Sequence, residues 1–228
     1  MRIFKDFPEA FGEIKRDLKE MGIKVHTKTM QNKNIDDKPE YDTLEIMNYI
    51  YTVTNPWLKQ LSPTQPWADI EWRERLNGIL ARPMNPGEAY KLRPNIWNEF
   101  IGDDGLFDYT YSERLCTENQ VLNIVRGLQS DSYSRQAFIP IWESSDSHLL
   151  GSNRVPCSLG YHFMFRDDAL HMTYFMRSCD FFTHFQNDIY LALCLQKFIA
   201  DQIGRRVGRF TQFMASLHVY EKDVEDVF

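Results

Sequence analysis

A cysteine lies in the run Arg154-Val155-Pro156-Cys157, just ahead of a long strand pattern, and three further polar sets follow it at fixed intervals. Arg177-Ser178-Cys179-Asp180 closes that pattern, Gln186-Asn187-Asp188 opens the next helix, and Ser216-Leu217-His218-Val219-Tyr220 closes the last strand. Together they offer a thiol, an anion site, a side chain able to read the hydrogen-bonding edge of a base, and a pair able to hold a sugar. A thiolate splits a hard substitution into easier covalent steps. Guanidinium groups bind phosphate through paired, charge-assisted hydrogen bonds. His218 and Tyr220 alternate along a strand and therefore share one face. In this order and spacing these are the parts needed to attack the ring of a pyrimidine nucleotide.

Composition narrows the setting. At 228 residues the chain fits one domain, 1–228, large enough to bury a core. Hydrophobic content of 43% and aromatic content of 14% exclude a disordered chain. A net charge of −6 argues against a broad basic face for nucleic acid, while a phosphate needs only a few local arginines. The four cysteines, Cys116, Cys157, Cys179 and Cys194, form no C-x-x-C pair, so neither a zinc ribbon nor a thioredoxin-type site is expected. A zinc deaminase would carry its second cysteine where Gly160 stands. No bound metal is therefore expected. Cys116 and Cys194 read as buried structural thiols. The charged N-terminus is no signal peptide, and no apolar run reaches membrane-spanning length. Free thiols then point to the cytoplasm.

The elements that must hold the polar sets are legible from periodicity. Asp6 caps a helix with Pro8 in its first turn, apolar residues from Phe7 to Met21 recur at helical spacing, and Gly22 stops it. Ile23 to Thr29 and Tyr41 to Val53 read as strands joined by the polar loop Gln31 to Glu40. Asp69 to Leu80 and Thr117 to Leu128 read as helices, with an irregular loop from Ala81 to Pro94. Ser158 to Arg166 and Leu170 to Met176 form a hairpin around Asp167-Asp168, with Leu159, Tyr161, Phe163 and Phe165 on one face. Ile189 to Ile203 is a buried helix and Arg209 to Tyr220 a final strand. Apolar groups on both faces of the hairpin imply a sheet covered on both sides. The class is α+β, or mixed α/β, around one large sheet.

Five segments then carry a resemblance: Asn95-Ile96-Trp97-Asn98-Glu99, Ser134-Arg135-Gln136, Pro156-Cys157, Arg177-Ser178-Cys179-Asp180 and Leu217-His218-Val219-Tyr220. In this order and near-family spacing, from about Trp67 to Tyr220, the chain resembles the thymidylate synthase superfamily. The resemblance implies a large mixed sheet flanked by helices, packing sheet to sheet in a homodimer. It implies that Cys157 adds to C6 of a pyrimidine nucleoside monophosphate, and that C5 attacks the one-carbon unit of 5,10-methylenetetrahydrofolate, a folate co-substrate. Arg177 and Ser178 would take the phosphate, and Arg135 would reach into the partner's site. Gln136 departs from a family Arg-Arg pair, leaving one phosphate partner to come from elsewhere, with Lys28 a candidate. His218 and Tyr220 would hold the sugar 3′-hydroxyl, Asp180 would face the pterin, and Trp97 would pack beside the folate. Tyr111, with Tyr109 close by, would serve proton transfer. The catalytic glutamate falls on Glu71 or Glu74, three apart on a presumed helix and expected to face the same side.

Asp188 is the informative departure. Counting from Arg177, synthases that use uracil place asparagine there. Cytosine presents the opposite edge, with N3 accepting and the 4-amino group donating. A carboxylate accepts from the amino group, and a proton shared with N3 completes the pair. Helix capping is the competing role for Asp188, which Asn187 could fill. The segment Met-Arg-Ser-x-Asp, with Met176 where synthases usually carry glutamine, also resembles phage-type deoxycytidylate hydroxymethylases. The sequence ends at Phe228, close behind Tyr220, where synthases continue to a sealing tail. A wetter site would favour water over hydride as the final nucleophile. The expectation is a 5-hydroxymethyltransferase acting on dCMP. The rivals are a CMP hydroxymethylase, a uracil-specific hydroxymethylase or synthase, and a non-catalytic nucleotide binder.

Overall fold

The computed structural model describes residues 1–31, 33–149 and 153–228. A short strand β1 (Arg2–Phe4) leads into α1 (Phe7–Met21), whose first turn is closed by the Asp6 carboxylate accepting from the Glu9 N–H at 3.1 Å. Phe7, Ala10, Ile14 and Leu18 form its buried stripe. Gly22 ends the helix in an extended conformation; a Cβ there would collide with the Leu18 carbonyl and the Leu44 side chain.

Strand β2 (Ile23–Val25) is shorter than the run Ile23 to Thr29 suggested. The chain instead makes a miniature hairpin, β3 (Thr29–Met30) and β4 (Lys33–Asn34), turning at Gln31 with φ 58°. The expected polar loop thus holds a hairpin, of which residue 32 lies outside the described set. Next come β5 (Thr43–Val53), α2 (Trp67–Leu80), the single turn α3 (Pro94–Trp97), α4 (Tyr111–Cys116) and α5 (Gln120–Ser130). The α4 helix was not foreseen. Thr110 caps it with a reciprocal bond to Glu113, a Thr-x-x-Glu signature readable in the sequence.

Strand β6 (Phe138–Pro140) pairs with β7 (Ser158–Arg166), and β8 (Ala169–Asp180) completes the long hairpin. Asp167 and Asp168 both take positive φ, the turn geometry that matches strand twist. Helix α6 (Phe185–Gln202) crosses over to β9 (Arg206–Tyr220), which runs parallel to β8, and α7 (Val224–Val227) follows. The seven-stranded mixed sheet has the order β1-β5-β9-β8-β7-β6, with β2 on β5. Its parallel pairs are β1–β5 and β8–β9.

One face of this sheet buries Tyr51, Phe163, Tyr174 and Phe210 in a core that takes in Phe7 of α1 and Ile189 of α6. On the neighbouring strands Phe175 and Phe213 stand 6.3 Å apart and only half-buried, while Met47 and Phe138 are exposed. Leu159 does not join the Tyr161, Phe163 and Phe165 face. A β-bulge between Ser158 and Gly160 leaves it without an opposite residue on β8 and shifts the alternation by one residue. No helix among the described residues is long and apolar enough to cross a membrane.

Candidate active site

The C-terminal ends of β8 and β9, the start of α6 and one side of α2 converge on a cavity of about 580 Å³. Ten of the sequence-derived residues line it: Glu71, Trp97, Tyr111, Cys157, Arg177, Ser178, Asp180, Asp188, His218 and Tyr220. Glu74 and Arg135 do not. Glu74 turns to the far side of α2, where its carboxylate accepts from the backbone N–H groups of Glu88 and, at 2.9 Å, Ala89. Three residues on a helix differ by about 60° around the axis, enough to send two glutamates to different surfaces. Arg135 is exposed on the loop before β6, and its carbonyl faces His162 Nε2 at 3.0 Å. Lys28 is absent from the cavity wall.

Cys157 lies at the junction between the loop and β7. Its thiol has Arg177 Nη2 on one side and Gln31 Nε2 on the other, each 3.9 Å from Sγ. Arg177 also donates from Nε to the Pro156 carbonyl at 2.8 Å and from Nη2 to the Val155 carbonyl at 3.2 Å. The arginine therefore fixes the segment that carries the cysteine. Gln31 closes the loop from the other side by accepting from the Val155 N–H at 3.1 Å. Burial pushes the Cys157 thiol up, Arg177 and Arg154 pull it down, and the net direction is upward.

Asp188 sits in the first turns of α6, which begins at Phe185. It is not the N-cap, a place taken by His184. Gln186 and Asn187 anchor the turn by accepting from the N–H groups of Ser62 (2.8 Å) and Thr64 (2.7 Å). The Asp188 carboxyl is thereby presented to the cavity. Burial pushes it up to about 7, with Arg75 the strongest opposing charge.

Glu71 comes with a partner outside the sequence candidates, Arg75. They form a pair at 2.8 Å one turn apart on α2, and the Arg75 guanidinium lies 4.2 Å from the centre of the Tyr111 ring. The i,i+4 spacing was the available signal. Burial works against the Arg75 charge, and Glu71 leads the groups that hold it above its ordinary value. The Tyr111 hydroxyl meets Ser158 Oγ at 3.0 Å, and that oxygen meets the Tyr174 hydroxyl at 2.6 Å.

At the other end, His218 Nδ1 lies 3.1 Å from Ser216 Oγ, which donates to Glu45 at 2.7 Å. Burial lowers the His218 ring from the ordinary imidazole value, against the pull of Asp180 and Glu45. Tyr220 packs against His218 with ring centres 5.3 Å apart. Asp180 Oδ1 accepts from the N–H groups of Phe182 (3.0 Å) and Thr183 (3.1 Å), which fixes the exit from β8. Trp97 faces His184, a lining residue the sequence reading passed over, at 6.2 Å between rings. Arg154, also passed over, belongs to the same wall. Among the described residues no cluster of His, Cys, Asp or Glu is placed to hold a metal ion.

Comparison with known proteins adds an independent measure. The sequence model of the thymidylate synthase family matches residues 74–228. Two archaeal proteins, both named "Putative thymidylate synthase", are each 27% identical to the chain. That of Methanosarcina mazei aligns over 194 residues, 83% of this chain and 79% of that protein. That of Methanothermobacter marburgensis aligns over 217 residues, 92% of this chain and 93% of that protein. In three dimensions the thermostable thymidylate synthase A of Bacillus subtilis superposes with a TM-score of 0.77. The superposition covers 98% of this chain and 83% of that one at 19% identity, a likeness of fold.

Proposed function

The chain belongs to the thymidylate synthase family, and from that premise we propose that it hydroxymethylates C5 of dCMP. The family's co-substrate, 5,10-methylenetetrahydrofolate, supplies the one-carbon unit at the oxidation level of formaldehyde. The aromatic wall of Trp97, Phe100, Phe107 and Tyr109 suits a flat heterocycle of that kind.

Each residue in the cavity then takes a role its geometry supports. Cys157 Sγ adds to C6, and Arg177 at 3.9 Å favours the thiolate that must form. Arg177 and Ser178 bind the phosphate, and His218 with Tyr220 holds the sugar. Glu71, locked by Arg75, and Tyr111, at the head of the Ser158–Tyr174 hydrogen-bond chain, carry protons to and from the ring. C5 bonds to the one-carbon unit, the C5 proton leaves to this network, and tetrahydrofolate departs as its bond to that carbon breaks. Water then adds to the exocyclic carbon, its OH joining that carbon and its proton leaving to the same network. Expulsion of the Cys157 thiolate from C6 then restores the ring.

The observation that carries the choice of base is Asp188. Its carboxyl faces the cavity at the start of α6 and is pushed up to about 7, close to neutral pH. Such a group can share one proton with cytosine N3 and accept from the 4-amino group. Uracil, with N3–H donating and O4 accepting, fits an amide better.

We further assign a homodimer formed through the sheet face bearing Phe138, Phe175 and Phe213. Exposed or half-buried apolar groups of this size on one sheet face call for a cover. Arg135, outside its own cavity, would then serve the site of the other subunit. One domain spanning 1–228 suffices for all of these roles.

The names of the archaeal relatives favour a second reading, a uracil substrate. Side-by-side incubation of dCMP, CMP and dUMP with methylenetetrahydrofolate, with products identified by mass, separates the readings. The hydroxymethyl derivative of dCMP is expected; turnover of dUMP alone would reject the proposal, and preference for CMP would reassign the sugar.

A further inference from the structure

Arg154 is a buried cation with no counter-ion among the described residues. The residue is 8% exposed and lines the cavity three positions before Cys157. Its guanidinium carbon lies 4.6 Å from the centre of the Tyr109 ring, 4.8 Å from Trp97, 5.4 Å from Phe100 and 5.7 Å from Phe107. Among the described residues no carboxylate, carbonyl or hydroxyl accepts from the guanidinium. Asp108 accepts from the Arg154 backbone N–H at 3.4 Å instead. The other arginines of the cavity differ in this respect. Arg75 is paired with Glu71, and Arg177 is bound to two backbone carbonyls.

Aromatic faces attract a guanidinium but leave its N–H edges unsatisfied, because a π-face is a weak acceptor compared with an oxyanion. Guanidinium donors that line the cavity and meet no oxygen among the described residues are open to an oxyanion that enters it. A second donor belongs to the same wall: the indole Nε1 of Trp97 is buried with no partner among the described residues. A guanidinium held by rings alone and an indole N–H without a partner, side by side, suit an incoming anionic oxygen.

We propose that Arg154 forms an oxyanion subsite, separate from the Arg177 phosphate site, that receives an anionic oxygen of a bound ligand against the aromatic wall. The oxyanion has two chemical sources, the phosphate of the nucleotide or a carboxylate of the folate. The choice of these two ligands rests on the function proposed above; the need for an anion does not.

The experiment uses the full chain and two ligand pairs, dCMP with deoxycytidine and folic acid with 6-methylpterin, the second of each pair lacking the anion. Affinities are measured by calorimetry for the wild type, Arg154→Met and Arg154→Lys, each first checked by thermal unfolding. Arg154→Met is expected to weaken one anionic ligand by about tenfold to a hundredfold, the range of a lost charge-assisted hydrogen bond. The same change should weaken the anion-free partner of that ligand by less than threefold. Arg154→Lys should recover part of the loss. A loss confined to dCMP identifies the phosphate as the source, and one confined to folic acid identifies the carboxylate. Equal losses within both pairs, or none, would overturn the subsite, as would an Arg154→Lys variant as weak as Arg154→Met. Should Arg154→Met fail to fold, the lysine variant decides alone, a loss of threefold or more for one anionic ligand only supporting the subsite. Failure of the wild type to release tritium from [5-³H]dCMP would remove the proposed reaction and leave the subsite standing on its binding data.

Discussion

Glu71 and Arg75 are bonded at 2.8 Å on the inner side of α2, and the guanidinium continues onto the Tyr111 ring at 4.2 Å. The pair is 19% and 7% exposed at the side chains, so neither charge has much water to fall back on. The bond explains why α2 lacks an apolar stripe and is still packed: its inward positions include an ion pair as well as Trp67, Ala68 and Ile79. It also fixes a carboxylate beside the tyrosine whose hydroxyl starts the Ser158–Tyr174 relay.

Arg75→Met should be costly because it strands the Glu71 charge. Breaking one side of a buried pair typically costs about 3–5 kcal/mol, more than the pair itself contributes. Urea unfolding is expected to show a loss in that range, and the double change Arg75→Met with Glu71→Gln should recover a large share of it. A double variant no more stable than the single one would show that Arg75 acts by packing rather than charge.

Asp188→Asn should redirect the base. The amide would meet uracil O4 and N3–H and lose its fit to cytosine, so tritium release from [5-³H]dCMP should fall by at least a hundredfold while that from [5-³H]dUMP rises. Edge reading by a buried polar group discriminates by up to about four to five powers of ten, which leaves room for a swing of that size. Unchanged selectivity would place base recognition elsewhere in the cavity.

Cys157 should alkylate slowly at neutral pH and faster with alkali. Burial holds its thiol above the ordinary value of 9.0, so the thiolate fraction grows about tenfold per pH unit through pH 9 without levelling. Iodoacetamide inactivation should follow that slope, and Cys157→Ser should abolish both alkylation at this site and tritium release. A plateau below pH 8 would mean that Arg177 outweighs burial.

Much of this arrangement was readable in advance, and the reason is strand and helix periodicity. Cys157, Arg177, Asp180, His218 and Tyr220 sit at the ends of long regular elements, so a correct reading of β7, β8 and β9 places them together. The residues passed over are held by contacts that periodicity does not encode. Arg154 is fixed by four rings from 97 to 109, and Gln31 by a turn with positive φ on a two-residue hairpin. Glu71 and Glu74 could not be told apart by spacing, because only the loop at 88–89 decides which surface each meets. Leu159 was assigned to the wrong face because a bulge is a one-residue event inside an unbroken alternating pattern.

Asp188 should also make the fold weaker as pH rises, the reverse of the usual carboxylate. Its native value is pushed up to about 7 by burial, above the ordinary 3.8 of an aspartic acid. Between those two values the unfolded chain has released the proton and the native chain still holds it. The native state therefore binds more protons, and stability falls as pH climbs from about 4 to 7, then stays level with respect to this group. The loss is on the order of a few kcal/mol at neutral pH, at about 1.4 kcal/mol per unit of difference. Asp188→Asn removes the titration, so the variant should match the wild type near pH 4 and exceed it at pH 8 in urea midpoint. A cytosine nucleotide that shares the proton should offset the same loss, stabilising the wild type most at pH 7 to 8. Parallel stability curves for the two proteins across pH 4 to 8 would show that the carboxyl ionises freely in the native state.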